Sequence, residues 1–249
     1  MYIHRSEEVI SRRMKKMSKN DAGVSTKQKV LIGLGVLFIL AFVALIFILK
    51  SVDVGPVGPD GNLVGLSGIN LSFSEAVGVN LMWYDVTDYL GYFALGLAGC
   101  FALAGLVQGI KRNNFLLVDG EIIALGVLYA VTAALYVMFE FVVINCRPVI
   151  MPGEIEAEPS FPSSHTMLSV VVMGSAAMLA GRYIKNTAAS TVVKLLCLAV
   201  LGVIVAGRLL SGVHWLTDII GALFVSTGML MIYKGVISGM SPRVLNRRK

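Results

Sequence analysis

Charge is the first thing this chain has little of. Only 14% of its 249 residues are Asp, Glu, Lys or Arg, against about 25% in soluble globular domains. With 56% hydrophobic residues and a mean hydropathy of +0.80, this excludes an ordinary soluble domain. Cysteine is scarce too. Cys100, Cys146 and Cys197 form neither a CxxC pair nor a disulfide framework, which argues against redox and zinc chemistry. No internal repeat suggests an inverted-repeat transporter. Histidine occurs three times, at His4, His165 and His214, so any imidazole chemistry rests on very few residues.

What is present is a series of long apolar runs. Residues 30–49 ("VLIGLGVLFILAFVALIFIL") carry no charge and match the roughly 20 helical residues that cross a bilayer core. The run is longer than a signal-peptide core and no A-x-A-like site follows, so an uncleaved first span is expected. Five more runs lie near 88–110, 121–145, 166–184, 191–210 and 215–236. The turn-rich stretch 51–84 separates the first two and ends in the interfacial pair Trp83–Tyr84. The expected fold is all-α: a polytopic membrane protein of six transmembrane helices. The expected organisation is a basic tail over 1–29, a six-helix domain over 30–236 and a basic tail over 237–249.

The formal charge of +6 follows membrane topology rather than a nucleic-acid surface. With the N-terminus inside, the inner side receives the N-terminal cluster together with Lys111, Arg112, Arg182, Lys185, Lys194, Lys234 and the C-terminal basic residues. Only Lys50, Arg147 and Arg208 remain for the outer side. That asymmetry places both termini in the cytoplasm of a multi-pass protein of the cell membrane. The small residues Ala94, Ala98 and Ala102 and the Gly105–Gly109 pair are accounted for by packing inside the bundle, and nothing fixes an oligomeric state. "GLG" at 33–35 sits within the first span and is not a phosphate loop. "NLS" at 70–72 is a glycosylation sequon only in a eukaryotic host, and the compact loops favour a bacterium.

An ionisable side chain beside a bilayer is a functional hypothesis by default, and the topology gathers several on the outer face. In "FPSSHTML", Pro162 with Ser163 or Ser164 reads as a helix start whose free N–H groups favour an anion, with His165 in the first turn. A plain capped helix explains this segment equally well on its own. In "GRLLSGVHWLTD", His214 and Asp218 are four apart and on a helix would share a face, the aspartate orienting the imidazole. An Arg208–Asp218 ion pair would account for the charges there but not for the histidine. "NCRP" adds Arg147, with Pro148 ending the helix. Two arginine forks facing a helix N-terminus suit a tetrahedral oxyanion.

The combination resembles the type 2 phosphatidic acid phosphatase superfamily of lipid phosphatases, whose motifs are K-x6-R-P, P-S-G-H and S-R-x5-H-x3-D on a six-helix core. Here they correspond to "EFVVINCRP" (140–148), "PSSH" (162–165) and "GRLLSGVHWLTD" (207–218). The resemblance implies that His214 is the nucleophile, forming a phosphohistidine, that Asp218 orients it, and that His165 is the acid and then the base. It further implies that Arg147, Arg208, Ser163 and Ser164 hold phosphate, that no metal or other cofactor takes part, and that the substrate is a lipid phosphate at the extracytoplasmic side. Three positions depart from the pattern: Glu140 for the lysine, Ser164 for the glycine and Gly207 for the serine. Glu140 reverses a charge. The loop acids Glu154, Glu156 and Glu158 read as a solvated face, or as holders of a cation bridging to a diphosphate. Competing readings are a lipid phosphotransferase with the same site, a non-catalytic phospholipid-binding relative, and an intramembrane serine protease using Ser163, Ser164 or Ser211.

Overall fold

In the computed structural model, residues 25–240 are described; most of both basic tails lies outside them. Among the described residues the fold is all-helical. Seven α-helices are present: α1 (Thr26–Ser51), α2 (Ser67–Val77), α3 (Leu81–Lys111), α4 (Gly120–Phe141), α5 (Ser164–Tyr183), α6 (Thr187–Leu210) and α7 (Leu216–Ser238). All but α2 are long and apolar enough to cross a membrane, and a helix can do so because it satisfies its backbone polar groups within the segment itself. The chain is a multi-pass membrane protein.

The centre of the bundle is α5 and α7, the two most buried spans. Helix α1 lies along α7, α6 and α3 pack on α5, and α4 touches both central helices. The α1–α7 contact depends on small residues: a Cβ on Gly35 would stand 2.7 Å from the Gly228 carbonyl oxygen. The "GLG" of the first span is therefore a packing feature. In the same way Gly105 faces Ile122, and Ala94 is fully buried beside Val172, Met173 and Ala176, all within the bundle.

Each end of the bundle has its own polar network. At one end Arg182 donates to the Ile237 and Met240 carbonyls at 2.7 and 2.9 Å and lies 3.4 Å from Glu121. Arg112 and Tyr183 both hold Asp119, at 2.9 and 3.2 Å. At the other end Lys50 Nζ donates to the Val143 and Ile144 carbonyls at 3.0 and 3.3 Å. This is the end that carries Arg147, His165, Arg208 and His214.

The sequence reading and the structure differ at three places. The second span begins at Leu81 rather than near 88, so Trp83 and Tyr84 lie within the helix. The third span stops at Phe141 rather than 145, since Val142 leaves helical geometry and Lys50 takes the carbonyls beyond it. The stretch read as turn-rich holds helix α2, whose place is fixed by one polar side chain. Asn70, fully buried, donates to the Gly65 carbonyl and Thr217 Oγ1 at 2.8 and 3.0 Å and accepts the Thr217 N–H at 3.2 Å. It thereby pairs one of the free N–H groups at the start of α7.

Replacing Asn70 with Ala leaves that buried N–H and the Gly65 carbonyl without partners. The expected cost is about 2–3 kcal/mol of unfolding free energy, read as a lowered thermal midpoint of the detergent-purified protein.

Candidate active site

The turn from α6 to α7 creates the first half of the site. Gly212 adopts φ +66°, and any side chain there would run into the Gly78 carbonyl, so glycine alone fits. Ser211 turns its hydroxyl onto the Arg208 carbonyl at 2.8 Å, and its own carbonyl accepts the Asn80 N–H at 2.9 Å. His214 follows, before α7 begins at Leu216. The expectation that His214 and Asp218 share a helix face is thus corrected: His214 precedes the helix. Asp218 is the third residue of α7, and its Oδ2 accepts the Trp215 N–H at 3.0 Å. That capping bond bends the chain so that His214 Nδ1 stands 3.4 Å from the same oxygen. Such contacts are commonly long before substrate binds.

The second half comes from the loop between α4 and α5. Cys146 pairs with Pro159 in an isolated antiparallel bridge, and the Arg147 N–H donates to the Glu158 carbonyl at 2.9 Å. Trp215 Nε1 donates to the Cys146 carbonyl at 2.6 Å, joining the arginine segment to the histidine segment. Phe161 stacks on Phe42 and meets Phe139 edge-on. Beyond it the chain enters α5, with Ser163 at the cap position, Ser164 as first residue and His165 next. The Ser163 hydroxyl makes no capping bond, and its N–H donates to the Asp218 carbonyl at 3.1 Å. This leaves the first-turn N–H groups of Ser164, His165 and Thr166 without a backbone acceptor in the helix.

A cavity of about 160 Å³ opens between these halves, lined by Arg147, Ser164, His165 and His214 with Glu140, Glu158, Tyr136 and Phe139 toward α4. Arg147 Nη1, Arg208 Nε and Nη1, His214 Nε2 and the Ser163 hydroxyl are buried without a hydrogen-bond partner in the protein. Buried donors normally find partners. A cluster of them beside a polar cavity is the signature of a site built for an anion. Burial, with Arg147 and Arg208 nearby, pushes the His214 imidazole well below its ordinary value. Burial thus favours the neutral imidazole at this position. No group of three or more His, Cys, Asp or Glu side chains is arranged as a metal site among the described residues.

Sequence reasoning missed Asp88. Its Oδ1 lies 2.7 Å from His165 Nε2 and 3.0 Å from Arg208 Nη2. Arg208 has no exposed surface and also stacks on the Tyr84 ring, 4.7 Å away. The available signal is an aspartate at the very edge of the second apolar run, where a charge passes for a boundary residue. Glu158 is likewise no mere solvated loop acid: its carboxylate lies 3.0 Å from Arg147 Nε. Glu140 is exposed at the cavity rim beside Tyr136. Gly207 has a structural cause, since a side chain there would collide with the Thr87 methyl and crowd the Trp83 ring.

Residues 121–238 match the family model of the PAP2 superfamily. That segment of the chain belongs to the PAP2 superfamily. It carries α4 to α7 with Glu140, Arg147, Ser163, Ser164, His165, Gly207, Arg208, His214 and Asp218, while Asp88 lies outside it. Among solved structures, the PAP2 fold here is similar to that of the first transmembrane PAP2-type phosphatidylglycerolphosphate phosphatase from Bacillus subtilis. The identity is 17%, the TM-score is 0.57, and the match covers 84% of this chain and 98% of that one. No curated protein matches the sequence.

Two outcomes follow for the PAP2 site. Gly207→Ser, which restores the motif hydroxyl, is expected to destabilise by about 1–3 kcal/mol through overpacking. Adding Thr87→Ser, which removes the colliding methyl, should recover much of it in a double-mutant cycle of thermal unfolding. Because the native fold keeps His214 neutral, the unfolded chain binds the extra proton below about pH 6.5. Stability present above that pH is therefore lost as pH falls, by roughly 1.4 kcal/mol per unit from this group. His214→Gln should flatten the acid side of the stability–pH curve relative to the native protein.

Proposed function

We propose that the protein is a membrane lipid-phosphate phosphatase working through a phosphohistidine. The observation that carries this reading is a pair of unpartnered buried arginine donors, Arg147 Nη1 and Arg208 Nη1, together with the unpartnered His214 Nε2, at a cavity lined by Arg147 and both histidines. Membership of the PAP2 superfamily supports the same chemistry.

His214 Nε2 attacks phosphorus. As the N–P bond forms, the bond to the leaving oxygen breaks and His165 gives that oxygen a proton. Asp218 stabilises the positive charge on the phosphorylated imidazole. Water then attacks the phosphohistidine, His165 takes its proton, and phosphate leaves as the N–P bond breaks. Arg147, Arg208 and the N–H groups at the start of α5 hold the equatorial oxygens. Positioned charge of this type supplies most of the catalysis in phosphoryl transfer, and in this scheme no metal is required.

The substrate class is a phosphomonoester or diphosphate of a lipid: a polyprenyl diphosphate, phosphatidate or phosphatidylglycerophosphate. The similar Bacillus subtilis protein is a phosphatase of the third of these, which supports a glycerolipid phosphate within the class. Lys111, Arg112, Arg182, Lys185 and Lys234 lie toward the end of the bundle away from the cavity. By the positive-inside rule that end is cytoplasmic and the cavity faces the extracytoplasmic side of the cell membrane.

The test is phosphate release from the three lipids in detergent with EDTA present. Native protein should release phosphate from at least one of them, and His214→Ala should lose at least roughly 10³-fold. Phosphate appearing on an added lipid or sugar hydroxyl instead of in water would make the enzyme a phosphotransferase. Absence of turnover from folded native protein would sink the enzymatic reading and leave a phospholipid-binding relative, with Glu140 as its cause.

A further inference from the structure

The phosphatase scheme gives His165 two tasks, donating a proton and then accepting one, yet the family motif supplies nothing to orient its ring. Asp218 serves His214 alone. The structure supplies the missing partner from α3. Asp88 Oδ1 is 2.7 Å from His165 Nε2, the closest ion-pair contact at this end of the bundle. The ring also lies against the backbone of α3 one turn further on, where a Cβ on Gly91 would stand 3.0 Å from His165 Cδ2.

Two roles are open to a carboxylate in contact with both His165 and Arg208. It could stand where phosphate binds, or it could stand behind the histidine. The free atoms decide between them: Asp88 engages His165 Nε2 and Arg208 Nη2, and it leaves His165 Nδ1 and Arg208 Nε and Nη1 unpartnered, while His165 lines the cavity and Asp88 does not. Asp88 therefore sits behind the ring. Its carboxylate holds the proton on Nε2 and leaves Nδ1, which is buried and has no partner in the protein, as the nitrogen that meets substrate. The same oxygen neutralises Arg208 at 3.0 Å, which fixes that guanidinium beside the site.

We propose that Asp88 is the positioning residue of the acid–base histidine, so that the site holds two carboxylate–histidine pairs, Asp218–His214 for the nucleophile and Asp88–His165 for proton transfer. This deepens the phosphatase reading and rests on it. In the first step His165 carries protons on both nitrogens, gives the Nδ1 proton to the leaving oxygen and keeps the Nε2 proton on Asp88. In the second step Nδ1 takes the proton of the attacking water, which restores the imidazolium. The charged and titratable groups around His165 are Asp88 on α3, Arg208 on α6, His214 in the α6–α7 turn, Arg147 in the α4–α5 loop and, across the cavity, Glu158, Glu140 and Tyr136. Asp88 is the carboxylate in direct contact with the ring, so it is the group that most favours the imidazolium.

The experiment compares native protein with Asp88→Asn, which keeps the volume and removes the charge. Two readouts are taken. The first is the ¹⁵N-histidine NMR titration of His165 in detergent, assigned with His165→Gln; with only three histidines in the chain the spectrum is simple. The second is phosphate release from an alkyl ester, phosphatidate, and from an aryl ester, 4-nitrophenyl phosphate, whose leaving group needs no acid.

The proposal expects His165 to titrate at least about one pH unit lower in Asp88→Asn. It expects phosphatidate turnover to fall on the order of 10²-fold, while release of 4-nitrophenol falls less than about fivefold. An unchanged titration overturns it. So does an equal loss on both esters, which is what a merely structural role would give. If native protein turns over neither these esters nor a polyprenyl diphosphate or phosphatidylglycerophosphate, the phosphatase reading fails separately. The titration still decides the Asp88–His165 pair: lowered in the variant it stands, unchanged it falls.

Discussion

A guanidinium with no exposed surface at the edge of a bilayer cannot remain there unpaired, because burying an isolated charge costs many kcal/mol. Arg208 is such a group, and its solution organises the site. Its charge is met by Asp88 at 3.0 Å and its face by the Tyr84 ring, both on α3. The contact fixes α3 against α6, and because the same Asp88 oxygen reaches His165 it fixes α5 as well. Removing Asp88 would leave Arg208 to shift or draw in water. Removing Arg208 would leave the carboxylate without its guanidinium counter-ion, held by His165 and the Tyr92 hydroxyl.

The rest of the cavity wall follows the same rule at lower charge. Arg147 is held by Glu158 through its side chain and by the Glu158 carbonyl through its backbone. Trp215 and Asn70, neither of them chemical, each donate to a carbonyl outside their own helix. With the Asn70–Thr217 bonds, they tie the Arg147 loop and helix α2 to the start of α7. Many of the unpaired buried atoms among the described residues gather at this end: nitrogens of Arg147, Arg208, His165 and His214, with the Ser163 hydroxyl. Partners elsewhere keep these donors in place, and their own free atoms are the part of the structure left for a ligand.

Much of this was legible in the sequence because the bilayer imposes simple rules. Six apolar runs gave six helices, and Arg147, His165, Arg208 and His214, expected on one face, do stand at one end of the bundle. The failures have physical causes. His214 and Asp218 do meet, but through a capping turn, which periodicity cannot distinguish from a helix face. Helix α2 has modest hydrophobic content and is fixed by Asn70, a long-range contact that no local pattern encodes. Asp88 was overlooked because its partners lie 77 and 120 residues further along the chain. Glu158 looked solvated because the bridge that folds it back onto Arg147 is a tertiary feature.

The departures from the family motifs become intelligible on the same footing. Gly207 lacks the motif hydroxyl because α3 passes so close to α6 that the Thr87 methyl occupies the space, and this close passage is also what brings Asp88 within reach of Arg208. The absent hydroxyl and the Asp88–Arg208 contact are two consequences of one helix approach. Glu140 sits at the opposite rim, where its negative charge opposes entry of an anion but leaves the inner donors untouched. The PAP2 segment, 121–238, therefore does not contain a self-sufficient site. Its buried arginine finds its counter-ion, its α7 terminus its cap and its central helix its longest neighbour in the 120 residues that precede it.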